Sequence, residues 1–256
     1  LCLTFDDGLK SQFEIANPVL EELNLKAFYF VYTSIFNKNY SMLEPYRYFR
    51  HYYFKNINEF YKIFFKQMNN FFKCENDFKN FKIASKKKII EWKTNHPRYS
   101  EEDILFRLTR DFFLDDKKYR KIMKLLFQKK KFDHTRIKNK LFMTSSNLKY
   151  LEKKGNLIGL HSHTHPTNLG SKNFKEQEKE YKFNYKKLKN ILKYPIISAS
   201  YPNGSFNKQT FKIFKKLKIK ISFRQIIDKN QKKINPSNFE IARANHSMIC
   251  ERLNII

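Results

Sequence analysis

The chain has 256 residues, is 41% hydrophobic and carries a formal net charge of +28. That length holds one large α/β domain or two small ones, with enough apolar material for a sizeable core. The lysines are spread along the whole chain, with no Arg-rich block, zinc finger or helix-turn-helix pattern. A solvated basic surface is expected, and no specific nucleic-acid partner. Three cysteines (Cys2, Cys74, Cys250) are an odd number without metal spacing, which fits a reducing compartment and no disulfide framework. No apolar run approaches the about 18 residues of a membrane span, and no signal-peptide pattern is visible. The chain begins at Leu1, already inside a strand pattern, which leaves open whether residues precede it.

Cys2 to Phe5 reads as a buried strand that ends in Asp6-Asp7-Gly8, where the glycine permits a tight turn. A short helix is expected across Pro18 to Leu23, with Val19, Leu20 and Leu23 on one face. Ala27-Phe-Tyr-Phe-Val-Tyr-Thr33 is the next strand. Strand, acidic loop, helix and strand make a βαβ unit with parallel strands.

After Pro45 the texture changes. Ile57, Phe60, Tyr61, Phe64, Phe65, Met68, Phe71 and Phe72 recur at helical spacing. Ser100-Glu-Glu-Asp103 resembles a capping box, followed by Ile104, Leu105, Leu108 and Phe112. Tyr119, Ile122, Met123, Leu126 and Phe127 form a further stripe. Residues 45–138 are expected to be a helical insertion whose stripes form its core, with Trp92–Tyr99 as a connection.

At Ser146 the α/β texture returns. A short helix carries Leu148 and Leu151, and Gly155 can end it. Leu157 to Leu160 is a short strand that delivers three histidines in five residues, His161, His163 and His165. Glu176 to Leu192 is an amphipathic helix with Tyr181, Tyr185, Leu188 and Leu192. Ile196 to Tyr201 is a strand ending in Pro-Asn-Gly, Phe211 to Leu217 a helix, and Ile219 to Arg224 a strand. Phe239 to Ala244 reads as a last strand, ending at Asn245-His246. The expected architecture is α/β: a distorted (β/α) barrel of about seven parallel strands, formed by 1–44 and 139–256, with 45–138 inserted. Asp6 and Asp7, the histidines, Asn203 and His246 all follow strand ends, the face on which such barrels build their sites.

A metal such as Zn²⁺ takes two or three imidazoles plus a carboxylate and leaves a position for water. The histidine cluster and the acids at Asp6-Asp7 offer that donor set.

At these residues the sequence resembles the polysaccharide deacetylases of the NodB type, carbohydrate esterase family 4. Thr4-Phe-Asp-Asp-Gly8 matches the first family motif and His161-Ser-x-x-His165 the second. The preceding Leu148 to Gly155 resembles the helix and turn that lead into the second motif. Tyr201-Pro-Asn-Gly204 resembles the third. Ile241-Ala-Arg-Ala-Asn-His246 is similar to the ends of deacetylase-like proteins from O-antigen and capsule gene clusters. Three departures stand out: the long insertion between Asp7 and His161, Ser200 in place of an arginine, and no late Leu-x-His-Asp motif.

The resemblance implies Asp7, His161 and His165 as ligands of a divalent metal. Zn²⁺ is expected, with Co²⁺, Ni²⁺ or Mn²⁺ as alternatives. It implies Asp6 as general base. The backbone of Asn203, inside the turn that Tyr201 opens, is expected to hold the oxyanion, with His163 meeting substrate or solvent. His246 is the expected proton donor to the leaving amine, and Arg243 the partner of Asp6. The implied partner is an N-acetylated (or O-acetylated) sugar of a surface polysaccharide or its precursor. The expected location is the cytoplasm, with the inner membrane surface as an alternative. A hydrolase of a small non-sugar amide and a catalytically silent glycan-binding protein are the competing readings. Oligomeric state is not legible, and His51, His96 and His134 receive no role.

Overall fold

The computed structural model describes residues 2–95, 99–225 and 236–254. In chain order its elements are β1 (Leu3–Phe5), α1 (Asn17–Glu22), β2 (Ala27–Val31), α2 (Leu43–Tyr52), α3 (Ile57–Phe72), α4 (Glu75–Asn95), α5 (Glu101–Leu108), α6 (Asp116–Lys129), α7 (Lys138–Leu141), α8 (Ser145–Lys153), β3 (Leu157–Leu160), α9 (Phe174–Ile191), β4 (Ser198–Ser200), α10 (Lys208–Lys216), β5 (Ile221–Phe223) and α11 (His246–Arg252). The chain divides into two compact units, Leu1–Ser41 with Lys138–Ile256, and Met42–Ile137.

In the first unit five strands pair in parallel in the order β1-β2-β3-β4-β5. A parallel strand is covered on both faces and must be apolar on both. Ala27-Phe-Tyr-Phe-Val31 meets that condition. Tyr29 and Val31 join a core with Leu148, Leu151 and Leu188 of the covering helices. Phe28 and Phe30, on the opposite face, reach the ring of Phe223 at 5.2 and 5.4 Å between centroids. Since β2 and β5 are not neighbours in the sheet, their side chains can meet only if the sheet curls, so the unit is a half-barrel. Gly159 in β3 makes room for that interior. A Cβ there would lie 2.5 Å from the Phe30 ring and 2.6 Å from Ser198 Oγ. Each fully buried Phe or Tyr of this core contributes roughly 1.5–3 kcal/mol.

About seven strands were expected, and five are present among the described residues. The strand expected at Phe239–Ala244 reduces to a single parallel bridge, Ile241 to Phe223. Ile241 exchanges two backbone bonds with Ser222 and Arg224. The Phe239 carbonyl is instead taken by the hydroxyls of Tyr201 and Ser222, so the ladder cannot extend in that direction. Residues 226–235 lie outside the described residues.

The first helix also departs from expectation. Leu20 is buried with Asn17, whereas Val19 and Leu23 are more than half exposed. The π-helical turn Gln12–Ala16 in front of α1 changes the phase of the helix and turns the i, i+3 pair inward.

In the second unit every described element is helical. Helix α3 starts at Asn56, whose side chain accepts from the Glu59 amide, and buries Phe60, Tyr61, Phe64 and Met68. Ser100 caps α5 and Asp115 caps α6 in the same way. Phe49, Phe54, Phe60, Phe106, Phe64 and Tyr119 form a run of rings with successive centroids about 5–6 Å apart. Phe112 does not join this core and is 63% exposed. A π-helical turn over Thr109–Phe113 shifts the register after α5, so Thr109 turns inward in its place. Helix α4 runs through Trp92 to Asn95, so the first half of the expected connection is helical, and residues 96–98 (His96 and Pro97 among them) lie outside the described residues.

Candidate metal centre and active site

The two aspartates and the first histidine of the candidate centre follow the C-terminal ends of parallel strands. Asp6 and Asp7 follow β1, and Asp7 turns the chain with a left-handed φ of 77°, continued by Gly8 at 65°. A Cβ on Gly8 would lie 3.0 Å from Val31 Cγ1, and the left-handed turn favours glycine there as well. His161 follows β3. The loop it opens has left-handed backbone at Ser162 (φ 62°) and at His165 (φ 58°). Such conformations cost of order 1–3 kcal/mol each and persist where the surroundings over-determine them.

Asp7 and the two histidines, far apart in the chain, meet. Asp7 Oδ1 lies 3.4 Å from His161 Nε2 and 3.3 Å from His165 Nε2. One ligand atom from each of the three residues lies within 4.8 Å of the others. The His161 side chain is buried, and its Nδ1 lies 2.9 Å from the Ser200 carbonyl. A carbonyl only accepts, so Nδ1 carries a proton, and in the neutral ring it is the lone pair of Nε2 that lies towards Asp7 and His165. Burial pushes the His161 pKa down, but the charges of Asp6 and Asp7 and the Ser200 carbonyl together leave it raised. The ring of His165 packs on Tyr32 at 5.3 Å. Two imidazole nitrogens and one carboxylate at this spacing fit a divalent ion of the zinc class with room for further ligands.

Asp6 sits beside this group and is held by Arg243. Arg243 Nη1 donates to Asp6 Oδ1 at 2.9 Å and Nη2 to Oδ2 at 2.7 Å, a two-point pairing. The same guanidinium donates to Thr4 Oγ1, Ser200 Oγ and the Arg224 carbonyl. Arg243 therefore ties together the ends of β1, β4 and β5. Ser200, where relatives were expected to carry an arginine, has a hydroxyl short enough to meet Arg243 and also donates to Asp6 Oδ2 at 3.3 Å.

Other expected site residues have different places. Tyr201 is buried, its hydroxyl spent on Ser222 Oγ at 2.5 Å and the Phe239 carbonyl at 2.6 Å. Its ring stacks on Phe206 and Phe214. It is a core residue whose hydroxyl faces Ser222 and Phe239. Both ring nitrogens of His163 have protein partners. Its Nδ1 lies 2.9 Å from Thr33 Oγ1 and its Nε2 3.3 Å from Asn37 Nδ2. Asn37 Nδ2 can only donate, so Nε2 is the acceptor and Nδ1–H the donor. Burial lowers its pKa, and Lys187 adds to that, in keeping with a neutral ring. Asn203 is exposed with φ 51°, and its side chain reaches the Thr167 carbonyl at 3.5 Å. His246 does not follow a strand end. It opens α11, is exposed, and has no hydrogen bond, ion pair or ring contact with Asp6, Asp7, His161 or His165.

Sequence reasoning missed the residues that hold the histidine loop. Glu180 and Asn184, one turn apart on α9, both bond to its backbone. The available signal was a polar residue, Asn184, in line with the apolar positions Tyr181 and Leu188 on the buried face of the helix.

The polysaccharide deacetylase family model matches residues 116–222, which include His161, His165 and Tyr201 to Gly204 and leave out Thr4 to Gly8. No curated protein matches the chain. Among solved structures, the deacetylase domain of BpsB from Bordetella bronchiseptica is 14% identical with a TM-score of 0.50, covering 95% of this chain and 69% of that one. A de-N-acetylase from Aggregatibacter actinomycetemcomitans is 11% identical with a TM-score of 0.50, covering 98% of this chain and 73% of that one. The Streptococcus pyogenes deacetylase PplD, in complex with acetate, is 16% identical with a TM-score of 0.46, covering 88% of this chain and 55% of that one. This chain thus spans between 55% and 73% of the length of these structures, and at identities of 14% and 11% the likeness to the first two is one of fold.

Proposed function

We propose that this chain, whose residues 116–222 match the polysaccharide deacetylase family model, is a NodB-type, metal-dependent hydrolase that removes the N-acetyl group of a sugar in a surface polysaccharide or its precursor. The observation that carries the reading is the convergence of Asp7 Oδ1, His161 Nε2 and His165 Nε2 beside a second carboxylate, Asp6. Asp7, His161 and His165 would hold the ion, with the His161 tautomer fixed by the Ser200 carbonyl. A divalent ion bound there supplies Lewis-acid polarisation of the acetyl carbonyl and a more acidic water.

The chain's own groups then divide the proton work. Asp6 takes a proton from the attacking water as the new carbon–oxygen bond forms. Arg243 orients both Asp6 oxygens through its two-point pairing, so the base is held in one rotamer. The carbon–nitrogen bond breaks as that proton passes from Asp6 to the nitrogen, giving acetate and the free amine and returning Asp6 to its ionised form. His246 stands exposed and without a contact to this group, so the geometry supports no donor role for it.

The test is acetate release from a panel of N-acetylated nucleotide sugars, lipid-linked sugars and polymers, plus small non-sugar amides. It is run with metal-stripped protein and after addition of Zn²⁺, Co²⁺, Ni²⁺ or Mn²⁺. Metal-dependent release from a sugar substrate is expected. Release from small amides alone would move the assignment to the competing hydrolase reading. Saturable glycan binding with no release from any substrate would move it to the silent one.

A further inference from the structure

Helix α9 carries two side chains that converge on the backbone of the histidine loop. Asn184 is fully buried. Its Oδ1 accepts from the His161 amide at 2.9 Å. Its Nδ2 donates to the Val31 carbonyl at 2.9 Å and to Thr33 Oγ1 at 3.2 Å. One amide side chain therefore joins the end of β2 to the first residue after β3. One turn earlier, Glu180 Oε2 accepts from the amides of His163 and Thr164 at 2.9 and 2.8 Å, and Oε1 accepts from Thr164 Oγ1 at 2.7 Å. The His163 ring closes the circuit by bonding to Thr33 and Asn37.

These bonds act where the loop backbone is strained. Ser162 and His165 are left-handed, and His165 depends on an amide bond to Ser162 Oγ at 3.1 Å to complete its turn. Residues 162 and 165 thus hold backbone conformations that non-glycine residues adopt only where their surroundings impose them. We propose that Asn184 and Glu180 are positioning residues. They template the backbone of residues 161–165, so that the two imidazoles already face Asp7 before a metal arrives. The proposal rests on the reading of Asp7, His161 and His165 as metal ligands, and it assigns a task to residues that lie outside that set. A preformed loop spares metal binding the cost of ordering it, so losing the template should appear as lost metal affinity.

The test uses the full chain and Zn²⁺ alone, with affinity read by competition against a chromophoric chelator. Asn184→Leu is expected to weaken Zn²⁺ binding by about 10–100-fold, the range for loss of a group that orients a ligand. Glu180 is only partly buried, so Glu180→Ala should fold in any case, and a loss of about 10-fold is expected there. Gln177→Leu is the control for a purely structural effect. Gln177 is equally buried on the same helix but bonds to the Lys172 carbonyl and Thr210 Oγ1, away from the loop. It should lower stability to denaturant and leave Zn²⁺ affinity unchanged. A second readout needs no metal: amide exchange of His163 and Thr164 should accelerate in metal-free Glu180→Ala. If Asn184→Leu fails to fold, Glu180→Ala decides. Wild-type affinity in every folded variant would overturn the proposal while leaving the metal site standing. Wild-type protein that binds no Zn²⁺, or binds it as well after His161→Ala, would overturn the metal reading and this proposal with it.

Discussion

Replacing Arg243 separates orientation of Asp6 from mere charge near it. The guanidinium makes five bonds: two to Asp6, and one each to Thr4 Oγ1, Ser200 Oγ and the Arg224 carbonyl. Breaking a fully buried pair costs about 3–5 kcal/mol, while an exposed pair is worth roughly 0–1 kcal/mol. The Arg243 side chain is 12% exposed and that of Asp6 28%, so water can re-solvate the carboxylate in part. Arg243→Ala should therefore cost about 2 kcal/mol of stability, between those limits. The larger effect should be on turnover. An Asp6 free to rotate loses its aim at the water, and a misplacement of about 1 Å costs roughly 10²-fold. Arg243→Lys restores a charge but offers a single point in place of a planar fork, so a loss of about 10-fold is expected, between the alanine variant and wild type. The assay is kcat and KM on the best substrate of the panel, with metal content and denaturant unfolding measured on the same preparation. The fall should lie in kcat, with metal content unchanged. Full activity in Arg243→Lys would refute two-point orientation. Loss of metal in Arg243→Ala would show that the arginine supports the ligands rather than the base.

Asp6→Asn should keep its metal and lose about 10²–10⁴-fold in turnover, and co-purified loss of metal would move Asp6 into the ligand set. Tyr201→Phe should cost about 1 kcal/mol through loss of the bonds to Ser222 and Phe239, with kcat/KM unchanged. A selective loss of activity would restore the substrate role that burial argues against. His246→Ala, assayed on an N-acetyl substrate and on an activated acetate ester, should leave both rates within about threefold of wild type, because a proton donor must reach the leaving nitrogen. A large loss on the amide alone would reinstate His246 as the donor. The last prediction concerns pH. In the metal-free protein the His161 pKa is raised, so its protonated form adds stability at low pH that is lost as pH rises through that raised value. A metal needs the neutral ring, so Zn²⁺ binding should release protons at pH values at and somewhat above the ordinary imidazole pKa. Calorimetry in buffers of different ionisation enthalpy measures this, and binding with no proton release there would contradict it.

Local pattern carried much of this molecule. Ala27–Val31 is apolar on both faces, and only a doubly covered strand accommodates that. Phe60, Phe64 and Met68 repeat at the helical period and are buried together in α3. The glycine after Asp6-Asp7 and the spacing of His161 and His165 marked both halves of the candidate metal site, although the insertion lies between them. What sequence could not convey is where a side chain finds its partner across the fold. His163 is chemically identical to its neighbours, yet Thr33 and Asn37 occupy both its ring nitrogens. Tyr201 reads as a motif tyrosine, but its hydroxyl ends between Ser222 and Phe239. Asn184 reads as one more polar residue of a helix until α9 is laid against the ends of β2 and β3. Amphipathic periodicity is a property of a few consecutive residues and survives in the linear sequence. The order in which strand ends stand side by side is a property of the whole chain, and it decides which hydrogen bonds a buried polar group can make.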